Sequence, residues 1–381
     1  MPTRNQTTPR VFIAATRQND GKTTVSLGLL DALKKCFPRV GYMKPVGQRF
    51  VEIAEQKIDE DTVLMDSVYK LNCPLLDMSP IAVAPDFTRK YLETSDREGL
   101  ARRIQSSFDR VAWERDFVLC EGSGHAGVGA VFDLSNAQVA KALDAKVILV
   151  SRGGIGKPID EVTLNKALFA QEGVEIIGVI INKVLPEKLD YIADFTRRGL
   201  QRKGLELLGV LPHLPILTRP SLFAIREELR AELLNDGHGM HNLVNEVIIG
   251  AMSVQNAVSH FKPGALFILS GDREDLMLAL STALDGGTCQ GIAGVVLAGN
   301  YRPSLPVQSL LRRMGFPVLF SSRDIYEVAS TVHDLTVKTH PQDREKILLI
   351  RELVARHVNV GKILAALNES RDCHELETQN Q

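Results

Sequence analysis

Residues 11–24 constrain the fold more than any other stretch, because an apolar run leads through a glycine–lysine–threonine step into a helical pattern. The run VFIAA (11–15) is typical of a buried strand, and the residues after the loop carry apolar side chains at helical spacing. The end of the loop, Gly21-Lys22-Thr23, matches the second half of the phosphate-binding pattern Gly-x-x-x-x-Gly-Lys-Ser/Thr. Thr16 occupies the position of the first glycine in that pattern. Such a loop binds phosphate through backbone N–H groups and the positive end of the helix dipole. The alternative is an ordinary capping sequence in front of a helix.

Further apolar runs rich in β-branched residues follow, and amphipathic segments separate them. The runs lie at 39–43, 117–122, 146–151, 174–182 and 205–211. Residues 59–115 have a mostly helical or irregular pattern. Alternation of strands with helices predicts an α/β fold with a mostly parallel sheet covered by helices on both faces. The Gly-Lys-Thr step between the first strand and helix makes this predicted fold P-loop NTPase-like.

A segment with three prolines, PHLPILTRPS (212–221), interrupts this pattern and predicts a domain boundary. A second, smaller α/β domain is predicted beyond it. Its strands are expected at 265–270, 291–300 and 316–321, and a closing helix at 344–359. The predicted division is a disordered N-terminus (1–9), a nucleotide-binding domain (10–215), a linker (216–240), the smaller domain (241–360) and a polar tail (361–381).

Composition excludes several classes of protein. The formal net charge of −1 gives no reason to expect binding to nucleic acid or to an anionic membrane. No apolar run reaches the roughly 18 residues that a membrane span needs. The five cysteines are scattered without a C-x-x-C pair. We therefore expect reduced thiols and a cytoplasmic protein.

The loop residues have distinct expected roles. Gly21 permits close approach of the backbone to a phosphate. Lys22 is expected to reach the outer phosphates of a nucleotide, and the hydroxyl of Thr23 is expected to help hold Mg²⁺.

Polar residues also end three of the other predicted strands. Lys44, Glu121 and Asn182 follow apolar runs and so lie at the sheet edge where ligands of α/β proteins bind. Taken singly, each could instead be a solvated strand end. Arg49 and His125 could bind an anionic substrate group or be surface side chains.

Together these segments resemble the dethiobiotin synthetase-like branch of the P-loop proteins, and even more the N-terminal region of the long phosphate acetyltransferases. The matching residues are Thr16 in the loop, Lys44 in KPVGQ, Asp61 in DEDTVLM, Glu121 in EGSGH, Asn182 after the fifth strand, and Pro212 and Pro215 in LPHLP. The resemblance implies a nucleotide site formed by Thr16, Asn19, Asp20, Gly21, Lys22, Thr23, Thr24, Asn182 and Pro212. It also implies that Thr23, Asp61 and Glu121 bind Mg²⁺ and that Lys22 and Lys44 act on the ATP phosphates.

The second domain resembles the module named for a D-R-T-G-G motif, through LSGDREDLMLAL and GIAGVVLAGN. That resemblance implies a regulatory role. The segment from Asp272 to Asp275 could be a ligand-sensing loop or a capped helix start, with Asp272 as the expected N-cap. Phosphate acetyltransferase activity is not expected, because the sequence stops about where the acetyl-transfer domain of those enzymes begins.

The sequence leaves more than one function open. The first hypothesis is a nucleotide-responsive regulatory protein that binds ATP and Mg²⁺. The second is an ATP-dependent C–N ligase of the dethiobiotin synthetase type acting on an unknown carboxylate, and the third is an interaction module with an inactive site. The expected partners are a nucleotide, a small-molecule carboxylate or protein, and a second copy of the chain, since relatives place their sites at a subunit interface.

Overall fold

The computed structural model describes residues 5, 7–287, 291–335 and 337–367. It divides into two compact units, the first formed by Met1–His213 with Arg344–Gln381 and the second by Leu214–Asp343. Parts of the predicted disordered N-terminus (residues 1–4 and 6) and of the predicted polar tail (368–381) lie outside the described residues. Residues 361–366, assigned to that tail, are helical instead.

The main sheet of the first unit is parallel. Its strands are β1 (Arg10–Ala15), β2 (Val40–Met43), β7 (Phe117–Glu121), β8 (Lys146–Arg152), β9 (Ile176–Val184) and β10 (Leu207–Pro212). They lie side by side in the order β10-β9-β8-β1-β7-β2. Every residue of β1 and of β7 is buried, as expected for central strands of a parallel sheet covered on both faces. The predicted fold class is thus confirmed.

Short strands extend from β2. They are β3 (Val46–Gly47), which pairs in parallel with β6 (Ile81–Ala82), and the hairpin of β4 (Phe50–Ile53) with β5 (Gln56–Asp59). Ala54 and Glu55 turn this hairpin with φ angles of 48° and 62°, the left-handed backbone typical of a tight hairpin turn. Neither residue is a glycine or an asparagine, so the sequence did not indicate the turn.

Helices cover both faces of the main sheet, as the amphipathic segments predict. They are α1 (Lys22–Cys36), α2 (Glu60–Tyr69), α3 (Leu75–Met78), α4 (Phe87–Thr94), α5 (Arg97–Ala112), α6 (Asn136–Leu143), α7 (Gly156–Gln171), α8 (Leu189–Gln201), and, after the second unit, α14 (Arg344–His357) and α15 (Val360–Ala366). Capping fixes where α2 starts, since the carboxylate of Asp59 accepts a hydrogen bond from the N–H of Asp61.

Helix α14 corrects the predicted division, which placed residues 344–359 in the smaller domain. It belongs to the first unit and packs along α1. A Cβ atom at Gly28 of α1 would lie 2.4 Å from Val354 Cγ2, so only glycine allows the two helices this close. Arg351 of α14 also pairs with Asp31 of α1 at 3.0 Å. The amphipathic pattern indicated a helix with one buried face but did not specify its partner.

The second unit has its own sheet and helices. Its strands are β11 (Glu232–Leu233), β12 (Glu246–Ile249), β13 (Ala265–Ser270), β14 (Gly294–Ala298) and β15 (Val318–Ser321), and its helices are α9 (Leu222–Leu229), α10 (Val254–Ala257), α11 (Glu274–Asp285), α12 (Leu305–Leu311) and α13 (Ile325–His333). The order is β11-β15-β14-β13-β12, parallel except for β11. Separate apolar clusters contain α11 with α12 and α9 with α13.

Some boundary predictions also differ from the structure. The predicted linker 216–240 contains α9, whose Leu222 and Ile225 are fully buried in the second unit and so are part of its core. Helix α11 starts at Glu274 with Arg273 at the N-cap position. Asp272 does not cap it, because the Asp272 carboxylate accepts a hydrogen bond from the Ser270 hydroxyl instead.

The thiols only partly follow expectation. Cys120 is a buried free thiol and Cys73 a half-buried one. Cys36, half-buried at the end of α1, is disulfide-bonded, which corrects the expectation that the thiols are reduced. Within the described ranges, no helix is both long enough and apolar enough to cross a membrane.

Candidate functional site

The loop between β1 and α1 has a backbone that only certain residues adopt easily. Asn19 and Gly21 have φ angles of 65° and 100°, in the left-handed region. A Cβ atom at Gly21 would lie 2.1 Å from the amide nitrogen of Asn182 on β9. Glycine is therefore required at position 21 for two reasons, the backbone angle and the close approach of Asn182.

The Thr16 side chain anchors the loop to Asp20 and to strand β8, which a glycine at this position could not do. Its hydroxyl donates to Asp20 Oδ2 at 2.9 Å and lies 2.9 Å from the hydroxyl of Ser151 on β8. The N–H of Arg17 donates to the same Asp20 oxygen at 2.8 Å. Burial raises the pKa of Asp20, although these hydrogen bonds oppose the shift. These hydrogen bonds to Asp20 therefore connect the beginning of the loop to its end.

Side chains near the carboxyl end of β9 hold the other side of the loop. Asn182 donates through Nδ2 to the carbonyl of Asp20 at 2.9 Å, and Lys183 donates through Nζ to the carbonyl of Asn19 at 2.7 Å. The resemblance given above placed Asn182 in the implied nucleotide site. In the structure, its Nδ2 binds the loop backbone.

A buried lysine and carboxylates meet beside the loop. Lys44 Nζ lies 2.5 Å from Asp61 Oδ2 and 2.9 Å from Glu121 Oε1. The Thr23 hydroxyl donates to the same Glu121 oxygen at 3.0 Å, and the Tyr42 hydroxyl donates to Glu121 Oε2 at 3.1 Å. We call Lys44, Asp61, Glu121 and Thr23 the lysine–carboxylate cluster. These residues are distant in sequence and lie together because β2 and β7 end at the same edge of the sheet.

The charges of the cluster have opposite effects on the two lysines of the site. Burial disfavours the charge of Lys44, but Asp61 and Glu121 outweigh burial and raise the pKa of Lys44 well above its usual value. Burial, and then the charge of Lys44, lower the pKa of Lys22 to about 8. Burial and the charge of Glu121 raise the pKa of Tyr42 well above its usual value. Lys44 is therefore a permanent cation, whereas Lys22 titrates near the physiological range.

The oxygen atoms of the cluster fit the chemistry of Mg²⁺. This ion prefers oxygen ligands and commonly takes one or two protein carboxylates, completing its shell with phosphate and water. Thr23, Asp61 and Glu121 offer a hydroxyl and two carboxylates of this kind. Among the described residues there is no group of three or more His, Cys, Asp or Glu side chains that would hold a metal without such extra ligands.

The remaining predicted residues lie around the loop or apart from it. Thr24 is half-buried in the first turn of α1, and Pro212 ends β10 opposite Val184 of β9. Arg49 and His125 are exposed, and neither joins the lysine–carboxylate cluster. Pro215 belongs to the second unit.

Tyr42 and Ser151 are site residues that the sequence reasoning missed. Tyr42 precedes Lys44 by two residues along an extended segment, so strand alternation already placed both side chains on one face. Ser151 lies near the carboxyl end of β8, as Glu121 does on β7. The position at a strand end was the available signal in both cases.

The fold and site define a P-loop α/β protein that carries a second α/β module. Comparison with protein families agrees. The AAA_26 model, described as an AAA domain, matches residues 9–221, and the model of the DRTGG domain matches residues 224–335. The first match covers more than half of the sequence, so the chain belongs to the AAA_26 family.

Curated relatives include phosphate acetyltransferases. That of Pseudomonas aeruginosa is 30% identical over 368 residues, covering 91% of this chain and 50% of that protein. That of Synechocystis is 26% identical over 374 residues, covering 96% of this chain and 52% of that protein. The chain spans about half the length of the curated relatives it matches, and it aligns with the N-terminal region of these enzymes.

Solved structures resemble each unit only distantly. The MinC:MinD cell division complex of Aquifex aeolicus matches with a TM-score of 0.35 and 16% identity, over 55% of this chain and 83% of that chain. The CBS and DRTGG domains of Clostridium perfringens pyrophosphatase, solved with the activator diadenosine tetraphosphate, match with a TM-score of 0.26 and 20% identity. That match covers 31% of this chain and 48% of that chain.

Proposed function

We propose that this chain is a nucleotide-responsive regulatory protein, which binds ATP with Mg²⁺ in its first unit and hydrolyses it slowly or not at all. One observation carries the proposal. A glycine-lysine-threonine loop between β1 and α1 lies beside the lysine–carboxylate cluster, whose members come from different segments.

Each part of the site has a role in this proposal. The loop and the N-terminus of α1 bind the phosphates, and Lys22 and Lys44 neutralise their charge. Mg²⁺, when bound, neutralises phosphate charge and orients the nucleotide. Thr23, Asp61 and Glu121 would hold the ion.

The regulatory assignment rests on what surrounds the cluster. Arg49 and His125, which the sequence left as either contacts for an anionic substrate group or surface side chains, are exposed and stand apart from it. The DRTGG unit supplies the second element that a relay requires, since a regulator needs two states that a ligand can bias. In this scheme nucleotide occupancy of the first unit is the signal and the DRTGG unit senses or relays it.

A second candidate function is an ATP-dependent C–N ligase of the dethiobiotin synthetase type. The proximity of Lys22 and Lys44, whose charges interact, favours it, since two cations can stabilise a phosphoryl group in transfer to a carboxylate. Incubation with diaminopelargonate, bicarbonate and MgATP, with ADP release followed over time, tests this candidate. An absence of substrate-dependent ADP release would remove diaminopelargonate as the acceptor.

Calorimetric titration with ATP and ADP, with and without Mg²⁺, tests the primary proposal. Lys22→Ala should weaken nucleotide binding by about 10- to 100-fold, the loss expected for a charged hydrogen-bonding partner. Lys35→Ala is the matched control, because Lys35 lies on the same helix and is exposed. Absence of nucleotide binding by the unmodified protein would refute the proposal, and so would equal affinities for the two variants.

We also propose a homodimer, with a small-molecule carboxylate or a protein as the further partner. Light scattering at micromolar concentration measures the mass directly. A monomer mass with and without MgATP would contradict the dimer.

A further inference from the structure

We propose that Lys44 is a built-in cation that occupies the Mg²⁺ position in the nucleotide-free protein and excludes the metal until nucleotide phosphates draw its side chain away. This inference rests on the proposed nucleotide site. Its basis is the position of Lys44 Nζ, 2.5 Å from Asp61 Oδ2 and 2.9 Å from Glu121 Oε1.

The geometry places the ammonium where the metal would have to bind. Mg²⁺ binds oxygen ligands at about 2.0–2.1 Å and tolerates little departure from octahedral geometry. Both carboxylates available to it already share the Lys44 ammonium, and the Glu121 oxygen involved also accepts the Thr23 hydroxyl. A metal ion bound by Asp61 and Glu121 together would therefore displace Lys44 Nζ.

Burial holds the Lys44 ammonium group firmly between the Asp61 and Glu121 carboxylates. Lys44 is 4% exposed and Glu121 is completely buried. Removing one member of a buried ion pair leaves an uncompensated charge, which is strongly unfavourable. Lys44 can therefore leave the carboxylates only if another cation replaces it there and an anion receives its ammonium group.

MgATP meets both conditions at once. The metal supplies the replacement cation, and the phosphates supply the anion. The backbone need not move, because the N–H of Lys44 is held by the carbonyl of Met78 at 2.7 Å while the four-carbon side chain can reorient. Mg²⁺ alone brings no anion for the ammonium, so binding of the metal is coupled to binding of the nucleotide.

Binding of Mn²⁺, a paramagnetic substitute for Mg²⁺, tests the coupling without reference to activity. Electron paramagnetic resonance of free Mn²⁺ gives the bound fraction for the nucleotide-free protein. Lys44→Met retains the length of the side chain without its charge, and should bind Mn²⁺ at least about tenfold more tightly than the unmodified protein. Lys35→Met, a change at an exposed lysine of α1, should leave Mn²⁺ binding unchanged. Equal nucleotide-free affinity in Lys44→Met and the unmodified protein would overturn the inference.

Glu121→Gln provides a second measurement if Lys44→Met does not fold. If Lys44 excludes the metal, this variant leaves the weak nucleotide-free binding of Mn²⁺ unchanged. With a non-hydrolysable ATP analogue present, Glu121→Gln should weaken Mn²⁺ binding by about tenfold, as expected on losing a carboxylate ligand. A loss of nucleotide-free binding in Glu121→Gln would show that the metal already uses this carboxylate, and would overturn the inference.

Titration of the same samples with the ATP analogue separates the two proposals. If the unmodified protein binds no nucleotide, the proposed function fails and this inference fails with it. If nucleotide binds but Lys44→Met gains no affinity for Mn²⁺, only the role of Lys44 as an excluding cation fails.

Discussion

Replacing Gly21 by alanine tests whether the phosphate loop is shaped by its contact with Asn182. The new Cβ would lie 2.1 Å from Asn182 Nδ2, in a residue whose φ is 100°. Since β9 is buried between β8 and β10, Asn182 has to rotate and lose its hydrogen bond to the Asp20 carbonyl. The substitution therefore affects the loop through both the backbone and a neighbouring side chain.

The cost follows from two terms. Left-handed backbone costs an alanine about 1–2 kcal/mol relative to the right-handed region. The lost hydrogen bond of Asn182 adds about 1 kcal/mol. Gly173→Ala is the matched control, because Gly173 has a φ of 73° and a Cβ there would contact nothing within 4 Å. The difference between the two variants should therefore be about 1 kcal/mol, the contribution of the hydrogen bond.

Urea unfolding measures this difference. The chain has two units, and a signal from the whole chain would combine their unfolding transitions. Unfolding of the first unit is therefore followed by pulsed hydrogen exchange in peptides from β1. In Asn182→Ala the obstructing amide is absent, so adding Gly21→Ala should cost only the backbone strain. Equal destabilisation by Gly21→Ala and Gly173→Ala would refute the reasoning. So would an Asn182→Ala background in which Gly21→Ala lowers the unfolding free energy as much as it does in the unmodified protein.

Three further predictions concern pH, helix packing and thiol chemistry. Lys22 has a pKa of about 8, below its usual value, and phosphate binds its protonated form. Between about pH 7 and 8, where the ADP phosphates stay ionised, metal-free ADP affinity should therefore change little, and above pH 8 it should fall by up to about tenfold per pH unit; Lys22→Arg should abolish this fall in calorimetry. Gly28→Ala should destabilise the first unit by about 1–3 kcal/mol in the urea assay by forcing Val354 away, whereas Gly156→Ala, with no atom within 4 Å, should be nearly neutral. Burial raises the pKa of Cys120 to about 12, so mass spectrometry should find it unmodified by iodoacetamide at pH 8 in the folded protein and modified in urea.

The sequence was sufficient to predict the fold class and the neighbourhood of the site. Parallel strands bring their carboxyl ends to one edge, so Lys44 after β2 and Glu121 at the end of β7 were expected at the same edge of the sheet. Spacing along the chain does not give the distance between two side chains, however. The sequence therefore could not show that Lys44 pairs with both Asp61 and Glu121. The pairing with Asp61 depends on the orientation of α2, which the cap at Asp59 helps to set.

Other features depended on tertiary packing alone. The amide of Asn182 binds the loop backbone because Gly21 leaves space for it, and no local pattern encodes this contact. The hairpin at residues 50–59 lacks the usual turn residues, so propensity gave no sign of it. In both cases the conformation is set by neighbours that are distant in sequence.

The placement of α14 shows that the first unit extends beyond its family match. The AAA_26 model ends at residue 221, yet α14 begins at Arg344 and packs on α1, the helix whose first residue is Lys22. Gly28 of α1 lies directly against Val354 of α14, and Asp31 of α1 pairs with Arg351 of α14. The position of Lys22 and Thr23 therefore depends on residues that follow the DRTGG module in the chain. An isolated 9–221 fragment would lack the DRTGG unit and would also expose this face of α1, so loss of nucleotide binding in such a fragment would not by itself assign a role to the DRTGG unit.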